Sequence, residues 1–163
     1  MTALEKFKVD IANWIYKNGF DEIGLCFGQD FAYVLLEDGR FGIQIGTEGY
    51  PEVGRYFEQF LYEYGLEYMG IYDPVLAFLH ELGHAQTLNY FSDLELKFFE
   101  LAKESIDSES EYDRFVHYWS LPDEFAANMW AINFINEHED AVDKLCQIYW
   151  ENWNEAVEEL EVA

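Results

Sequence analysis

Two histidines and a glutamate lie close together in the middle of the chain, in the run Phe78-Leu-His-Glu-Leu-Gly-His-Ala85. On a helix, at about 100° per residue, His80 and His84 point in directions about 40° apart and can reach the same ion. Glu81 lies about 100° round from His80, which places its carboxylate beside that ion rather than on it. This is the spacing of the HExxH motif, in which two histidines bind zinc and the glutamate is the general base.

The residues around this motif predict that its helix is buried. Apolar side chains surround the motif at Val75, Leu76, Phe78, Leu79 and Leu82. Buried histidine and glutamate side chains are costly unless a metal ion or hydrogen bonds satisfy them. The sequence therefore predicts a zinc ion bound by His80 and His84.

A catalytic zinc usually has three protein ligands and keeps its fourth position for water, so a third ligand is needed. A third histidine in the extended form of the motif is excluded, because Thr87 and Tyr90 occupy the required positions. Glu124 is the favoured ligand, since it lies in the first turn of a strongly apolar helix, and Glu104, at the end of the preceding predicted helix, is the main alternative. The candidates for the third ligand that the sequence leaves open are Glu104, His117, Asp123 and Glu124.

The helix that carries Glu124 has a face of small residues. Glu124, Ala127, Asn128 and Ala131 share this face, which allows a close approach to the helix that carries the histidines. Asn128 can accept the outer N–H of a zinc-bound histidine and fix its tautomer. The competing interpretation of Glu124 is an acidic residue that stabilises a helix N-terminus.

The surrounding pattern predicts an α+β fold: a single, mostly helical domain over residues 1–163, with a small three-stranded antiparallel sheet near the N-terminus. The strands are expected between Glu22 and Gly46, with a turn at Asp38-Gly39. A first helix is bounded by a capping box at Thr2 and a stop at Asn18-Gly19. The other predicted helices begin at Pro51, at Asp73-Pro74, at Ser92, at Ser120 and near Glu139, and residues 106–113 are expected to form a loop.

The composition restricts the possible partners. Nine Lys and Arg against 33 Asp and Glu give a net charge of -24, which argues against direct nucleic-acid binding because phosphate contacts need a basic face. An aromatic content of 19% argues against disorder. The two isolated cysteines, the absence of a signal peptide and the absence of a long apolar run predict a soluble, cytoplasmic protein that does not bind membranes.

The HExxH helix, the later E-x-x-A-N helix at Glu124 and the preceding helix and sheet resemble the compact gluzincin-like metallopeptidases, particularly the ImmA/IrrE type found in mobile elements and bacterial regulators. The resemblance covers roughly residues 20–135. It implies a zincin-like fold, zinc ligands at His80, His84 and Glu124, and Glu81 as the base. The chain departs from the family pattern in the long segment between His84 and Glu124, which contains an additional predicted helix at residues 92–105.

These observations predict a zinc-dependent peptidase in which Glu81 takes a proton from zinc-activated water and passes it to the leaving amine. The resemblance implies a regulatory protein as substrate, and the charge suggests a basic one. Tyr112, His117 and Tyr118 are candidates for the donor to the oxyanion. The resemblance to zincins implies that one of the strands between Glu22 and Gly46 binds the substrate backbone. The alternative function is an acidic decoy or DNA mimic with a structural or vestigial zinc site.

Overall fold

The computed structural model describes residues 1–20, 22–46, 53–68, 70–107 and 110–162, and over these ranges it confirms an α+β fold dominated by helices. The predicted helix start at Pro51 lies outside the described residues. The strands are β1 (Gly24–Gly28), β2 (Ala32–Leu35) and β3 (Phe41–Gly46). The helices are α1 (Ala3–Lys17), α2 (Val53–Glu63), α3 (Asp73–Thr87), α4 (Asp93–Glu104), α5 (Glu111–Trp119), α6 (Pro122–Glu137) and α7 (Glu139–Val162).

The three strands form a mixed sheet, so the predicted antiparallel sheet is wrong for one of its two pairings. The order is β1-β3-β2; β2 and β3 are antiparallel, while β1 and β3 are parallel. The hairpin prediction is confirmed between β2 and β3, where Gly39 has a φ of +83°. Strand β1 precedes this hairpin and pairs with its second strand rather than its first. Side-chain alternation has the same period in both pairings, so the sequence pattern cannot distinguish them.

Helix α3 is the central helix of the fold. It is buried almost all round, from Pro74 to Gly83, as expected for a helix that is apolar on every face. It packs against α6 on one side and against β2 and β3 on another. Helices α1 and α7 pack together through Phe7, whose ring lies 5.1 Å from that of Tyr149. The central helix is thus the one that carries the HExxH motif.

The predicted helix caps at Thr2 and Ser92 are confirmed. Each side chain accepts a hydrogen bond from the backbone N–H three residues later, and Glu5 and Glu95 complete the two capping boxes. Helix α7, the longest of the described helices, begins as predicted at Glu139, buries Val142, Leu145, Tyr149 and Trp153 and exposes acidic residues such as Glu151 and Glu155. Within the described ranges, no helix is both long and apolar enough to cross a membrane.

Helix α5 was not predicted, and the expected loop over residues 106–113 is wrong for its last three residues. The helix begins after Ser110, whose hydroxyl accepts a hydrogen bond from the backbone N–H of Asp113. Acidic residues in a first turn interact favourably with the helix dipole, so Glu111 and Asp113 promote the helix although they make the segment look like a solvated loop. Trp119, at its end, is buried.

Candidate metal centre

The site is built where α3 crosses α6. The two backbones approach closely at Gly83. A Cβ atom placed there would lie 2.4 Å from the carbonyl oxygen of Ala127. Only glycine fits this crossing without displacing a helix. The predicted face of small residues on α6 is present, with Ala127 and Ala131 both buried. The role of Gly83 was not predicted from the sequence, although its position inside the motif was a signal.

Three side-chain atoms converge on one point beside this crossing. The Nε2 atoms of His80 and His84, both on α3, lie 3.1 Å apart. Oε2 of Glu124, on α6, lies 2.9 Å from each of these nitrogens. Tetrahedral zinc, with bonds of about 2.0–2.1 Å, holds its ligand atoms about 3.3–3.4 Å apart. The three atoms would therefore have to spread by less than about 0.5 Å to hold such an ion.

The tautomer of His80 shows why this cluster needs a cation. Nδ1 of His80 lies 2.7 Å from the side-chain oxygen of Asn128, and an amide oxygen only accepts, so Nδ1 carries the hydrogen. In the neutral imidazole, Nε2 then presents a lone pair towards His84 and the carboxylate of Glu124. Lone pairs and a negative charge that face each other repel unless a proton or a metal ion lies between them. Asn128 thus occupies the position predicted for a residue that fixes the tautomer of a ligand.

The ligand atoms of His80, Glu81 and His84 also lie within 4.8 Å of one another, and this group can hold a metal ion. Two carboxylates are therefore near the histidines. Glu124 is the better third ligand, because its Oε2 lies 2.9 Å from Nε2 of each histidine. The ligand atom of Glu81 is shown only to lie within 4.8 Å of those of the two histidines. The alternative Glu104 is exposed at the end of α4. The geometry favours His80, His84 and Glu124 as ligands, with Glu81 beside them.

The charges around the histidines favour a cation at this point. Burial alone lowers the pKa of His80, but the hydrogen bond and negative charge of Glu124 outweigh it and raise that pKa to about 9. Burial pushes the pKa of Glu124 upwards, yet the hydrogen bonds and charges of His80 and His84 hold it well below its ordinary value. A metal ion that binds at pH 7 would replace the proton that His80 otherwise keeps.

Glu81 has the surroundings that a general base needs. Its side chain is buried, and this burial raises the pKa of its carboxyl, although the nearby histidines act in the opposite direction. A carboxylate whose pKa is raised towards neutrality accepts protons more readily. His80 and Glu81 together form part of the wall of a pocket of about 450 Å³. Glu81 can therefore meet both an ion held by the histidines and a molecule in the pocket.

The pocket is lined mainly by apolar residues, with charged residues among them. Tyr118 lies among its wall residues, and burial, followed by the charge of Glu124, raises the pKa of its phenol, which therefore stays protonated. The other two candidate donors do not line this pocket: Tyr112 contacts Tyr56, and His117 is exposed on α5. The apolar part of the wall consists of Phe31, Phe57, Leu76, Ala77, Ile106, Phe115 and Trp119.

Lys103, whose side chain is 13% exposed, is the part of the site that was not predicted from the sequence. Nζ of Lys103, on α4, lies 2.8 Å from Oε1 of Glu124 and 2.8 Å from Oδ2 of Asp123. Burial alone lowers the pKa of Lys103, but the two carboxylates outweigh it and raise that pKa. Asp123, one of the candidate ligands, is thus paired with this lysine. No spacing rule connects a lysine at the end of α4 with the start of α6, so the sequence contained no signal for the contact.

Strand β2 contacts one of the two histidines. The ring of Tyr33 on β2 stacks on that of His84, with 6.4 Å between the ring centres and 19° between the planes. Among the described strands, β2 pairs only with β3, at the end of the strand order. One edge strand of the described sheet thus lies beside the metal centre.

Comparison with known proteins adds no family to this description. No family model matches the chain, and neither does any curated protein or any solved structure.

Proposed function

We propose that the protein is a zinc-dependent peptidase of the HExxH kind. The observation that carries the proposal is the position of Glu81: a buried carboxylate beside two histidines and a third ligand, at the wall of an open apolar pocket. A site that only stabilised the fold would be closed by four protein ligands. Here three ligand atoms meet, and the carboxylate of Glu81, a potential base, lies within 4.8 Å of the ligand atoms of both histidines.

Zinc suits this donor set. Two imidazole nitrogens and one carboxylate oxygen are the ligands of many catalytic zinc sites, which keep a fourth position open. Calcium and magnesium prefer sets made of oxygen alone. We therefore propose that His80, His84 and Glu124 hold zinc, with Asn128 orienting His80 through its outer nitrogen.

In the proposed reaction, Glu81 accepts a proton from the attacking water and then donates it to the amine that leaves. Bound zinc would supply the lowered pKa of that water and would polarise the peptide carbonyl. Tyr118 is our candidate for the additional donor to the carbonyl oxygen, because its phenol stays protonated and lines the same pocket. The raised pKa of Glu81 suits both halves of this transfer.

The pocket suggests what part of a peptide binds. Its volume of about 450 Å³ and its aromatic lining suit one bulky apolar side chain next to the bond that is cut. We propose that the substrate backbone runs by strand addition along the edge of β2 that no described strand covers, beside the contact of Tyr33 with His84. The earlier resemblance to the ImmA/IrrE type makes a regulatory protein the proposed substrate. Cys26 and Cys146 are both free thiols, which is compatible with a reducing, cytoplasmic location.

The test combines metal content with peptide cleavage. Elemental analysis of the wild type should find about one zinc per chain, retained in Glu81→Gln and lost in His84→Ala and Glu124→Ala. A set of quenched fluorescent peptides with a bulky apolar residue at each position should be cleaved by the wild type but not by Glu81→Gln. A wild type that cannot be loaded with zinc would refute the proposal.

A second function is supported by the charge. A net charge of -24 would let the surface attract a basic protein or mimic DNA, with the metal centre structural or vestigial. The Glu81→Gln variant separates the two functions, since a decoy does not need this carboxylate. Binding of a basic partner that persists in Glu81→Gln, together with no cleavage by the wild type, would favour the decoy.

A further inference from the structure

Lys103 lies in an unusual place for a lysine. Its side chain is only 13% exposed and contacts three carboxylates, with Nζ 3.0 Å from Oε1 of Glu100 and 2.8 Å from both Asp123 and Glu124. The side chains of Asp123 and Glu124 are 8% and 3% exposed, so these two ion pairs are buried. The ammonium group also lies 5.3 Å from the ring centre of Tyr118. Charges buried to this extent need partners and precise geometry.

The two oxygens of Glu124 have different partners. Oε2 faces Nε2 of His80 and Nε2 of His84, each at 2.9 Å, and is the oxygen placed to bind a metal ion. Oε1 faces Lys103 at 2.8 Å. A carboxylate can bind a metal through one oxygen or through both. The lysine occupies the second oxygen, which leaves one for the metal.

We propose that Lys103 is a positioning residue that holds Glu124 as a one-oxygen ligand and so keeps the fourth position of the metal centre open. The inference rests on the metal-binding part of the proposed function and does not depend on peptide cleavage. It links α4 to the metal centre, since Lys103 is in the last turn of α4 and Glu124 in the first turn of α6. Without the ammonium group, Oε1 is free to turn towards the ion and to fill the position that water would take.

Cobalt(II) is the probe for this inference, because its visible spectrum reports coordination number. Cobalt with four ligands absorbs visible light several-fold more strongly than cobalt with five or six, and geometry is diagnostic of a site. We expect a strong four-coordinate spectrum for wild-type protein loaded with cobalt. In Lys103→Met we expect a several-fold loss of absorptivity, as Glu124 binds through both oxygens.

Four further variants separate positioning from damage to the fold. Lys103→Arg keeps a cation that can donate to Oε1 and should keep the wild-type spectrum. Lys97→Met removes a lysine from the exposed side of the same helix and should change nothing. Lys103→Met removes the cation that pairs with the buried Asp123, so it is also combined with Asp123→Asn, and Asp123→Asn alone is the control for that second change. Near-ultraviolet circular dichroism of the tryptophans checks folding in each protein.

The outcomes distinguish this inference from the proposed function. If the wild type takes up no cobalt and no zinc, the metal centre is refuted, and the role of Lys103 falls with it. If the wild type gives the four-coordinate spectrum and the folded Lys103→Met, Asp123→Asn double variant gives the same one, only the role of Lys103 is refuted. A weaker spectrum in that double variant, with the wild-type spectrum in Lys103→Arg and in Asp123→Asn alone, supports it.

Discussion

The substitution Gly83→Ala should weaken metal binding without unfolding the protein. The added Cβ would lie 2.4 Å from the carbonyl oxygen of Ala127 and 3.0 Å from its Cα. These are backbone atoms of α6, which cannot turn away as the end of a flexible side chain does. Reaching an ordinary contact distance of about 3.4 Å requires the two helices to separate by about 1 Å near the crossing.

This separation acts directly on the ligands. Oε2 of Glu124 lies 2.9 Å from Nε2 of His84. Moving α6 outwards by about 1 Å would widen that distance to about 3.9 Å, which exceeds the separation of about 3.3–3.4 Å between two ligand atoms of tetrahedral zinc. Overpacking costs about 1–3 kcal/mol, while replacing a helical glycine by alanine gains about 1 kcal/mol. The net loss of about 0–2 kcal/mol lowers Tm by no more than about 8 °C in a chain of this size.

Zinc affinity is measured by competition with a coloured chelator, and Tm by circular dichroism with and without metal. We expect the affinity of Gly83→Ala to fall about 10–100-fold, the usual effect of disturbing the support of a metal site. Gln86→Ala is the matched control, because it adds helix propensity at an exposed position of the same helix. Gly83→Ala protein with wild-type zinc affinity would show that the close crossing of α3 and α6 does not set the ligand spacing.

Three other predictions concern the same site. Asn128→Ala removes the acceptor for Nδ1–H of His80 and should reduce zinc affinity about 10–100-fold, whereas Asn133→Ala, at an exposed position of α6, should leave it unchanged. The pKa of His80 in the folded protein, about 9, is above its ordinary value of 6.5 because of Glu124. The interaction of protonated His80 with Glu124 therefore stabilises the metal-free fold fully below pH 6.5, and this stabilisation is lost as pH rises through 9. Thermal melts should therefore show Tm of the metal-free protein falling across that window, while Tm of the zinc-loaded protein does not follow it. Ala77→Leu narrows the pocket and should lower kcat/KM for peptides with phenylalanine more than for those with alanine; equal losses would show that the pocket does not select the side chain.

Local patterns in the sequence predicted the features that depend on neighbours along the chain. Helical spacing alone places His80 and His84 on one face of α3, and their nitrogens lie 3.1 Å apart in the structure. The capping box at Thr2 and the hairpin turn at Gly39 likewise need only a few adjacent residues. Each of these features follows from backbone geometry over three or four residues, which a sequence shows directly.

Contacts between distant segments were decided by tertiary structure. Three contacts join segments that no local pattern relates. They are the approach of Glu124, rather than Glu104, to the histidines, the position of Lys103 between two carboxylates, and the parallel pairing of β1 with β3. Helix α5 was hidden for the same reason, since its acidic first turn looks solvated until the burial of Trp119 is known. The sequence by itself thus determined which side chains of α3 lie together as candidate ligands and candidate base. Only the packing of α6 and α4 against that helix decided which carboxylate meets the two histidines and which cation pairs with it, because the free energy of burying charges depends on partners brought together by the whole fold.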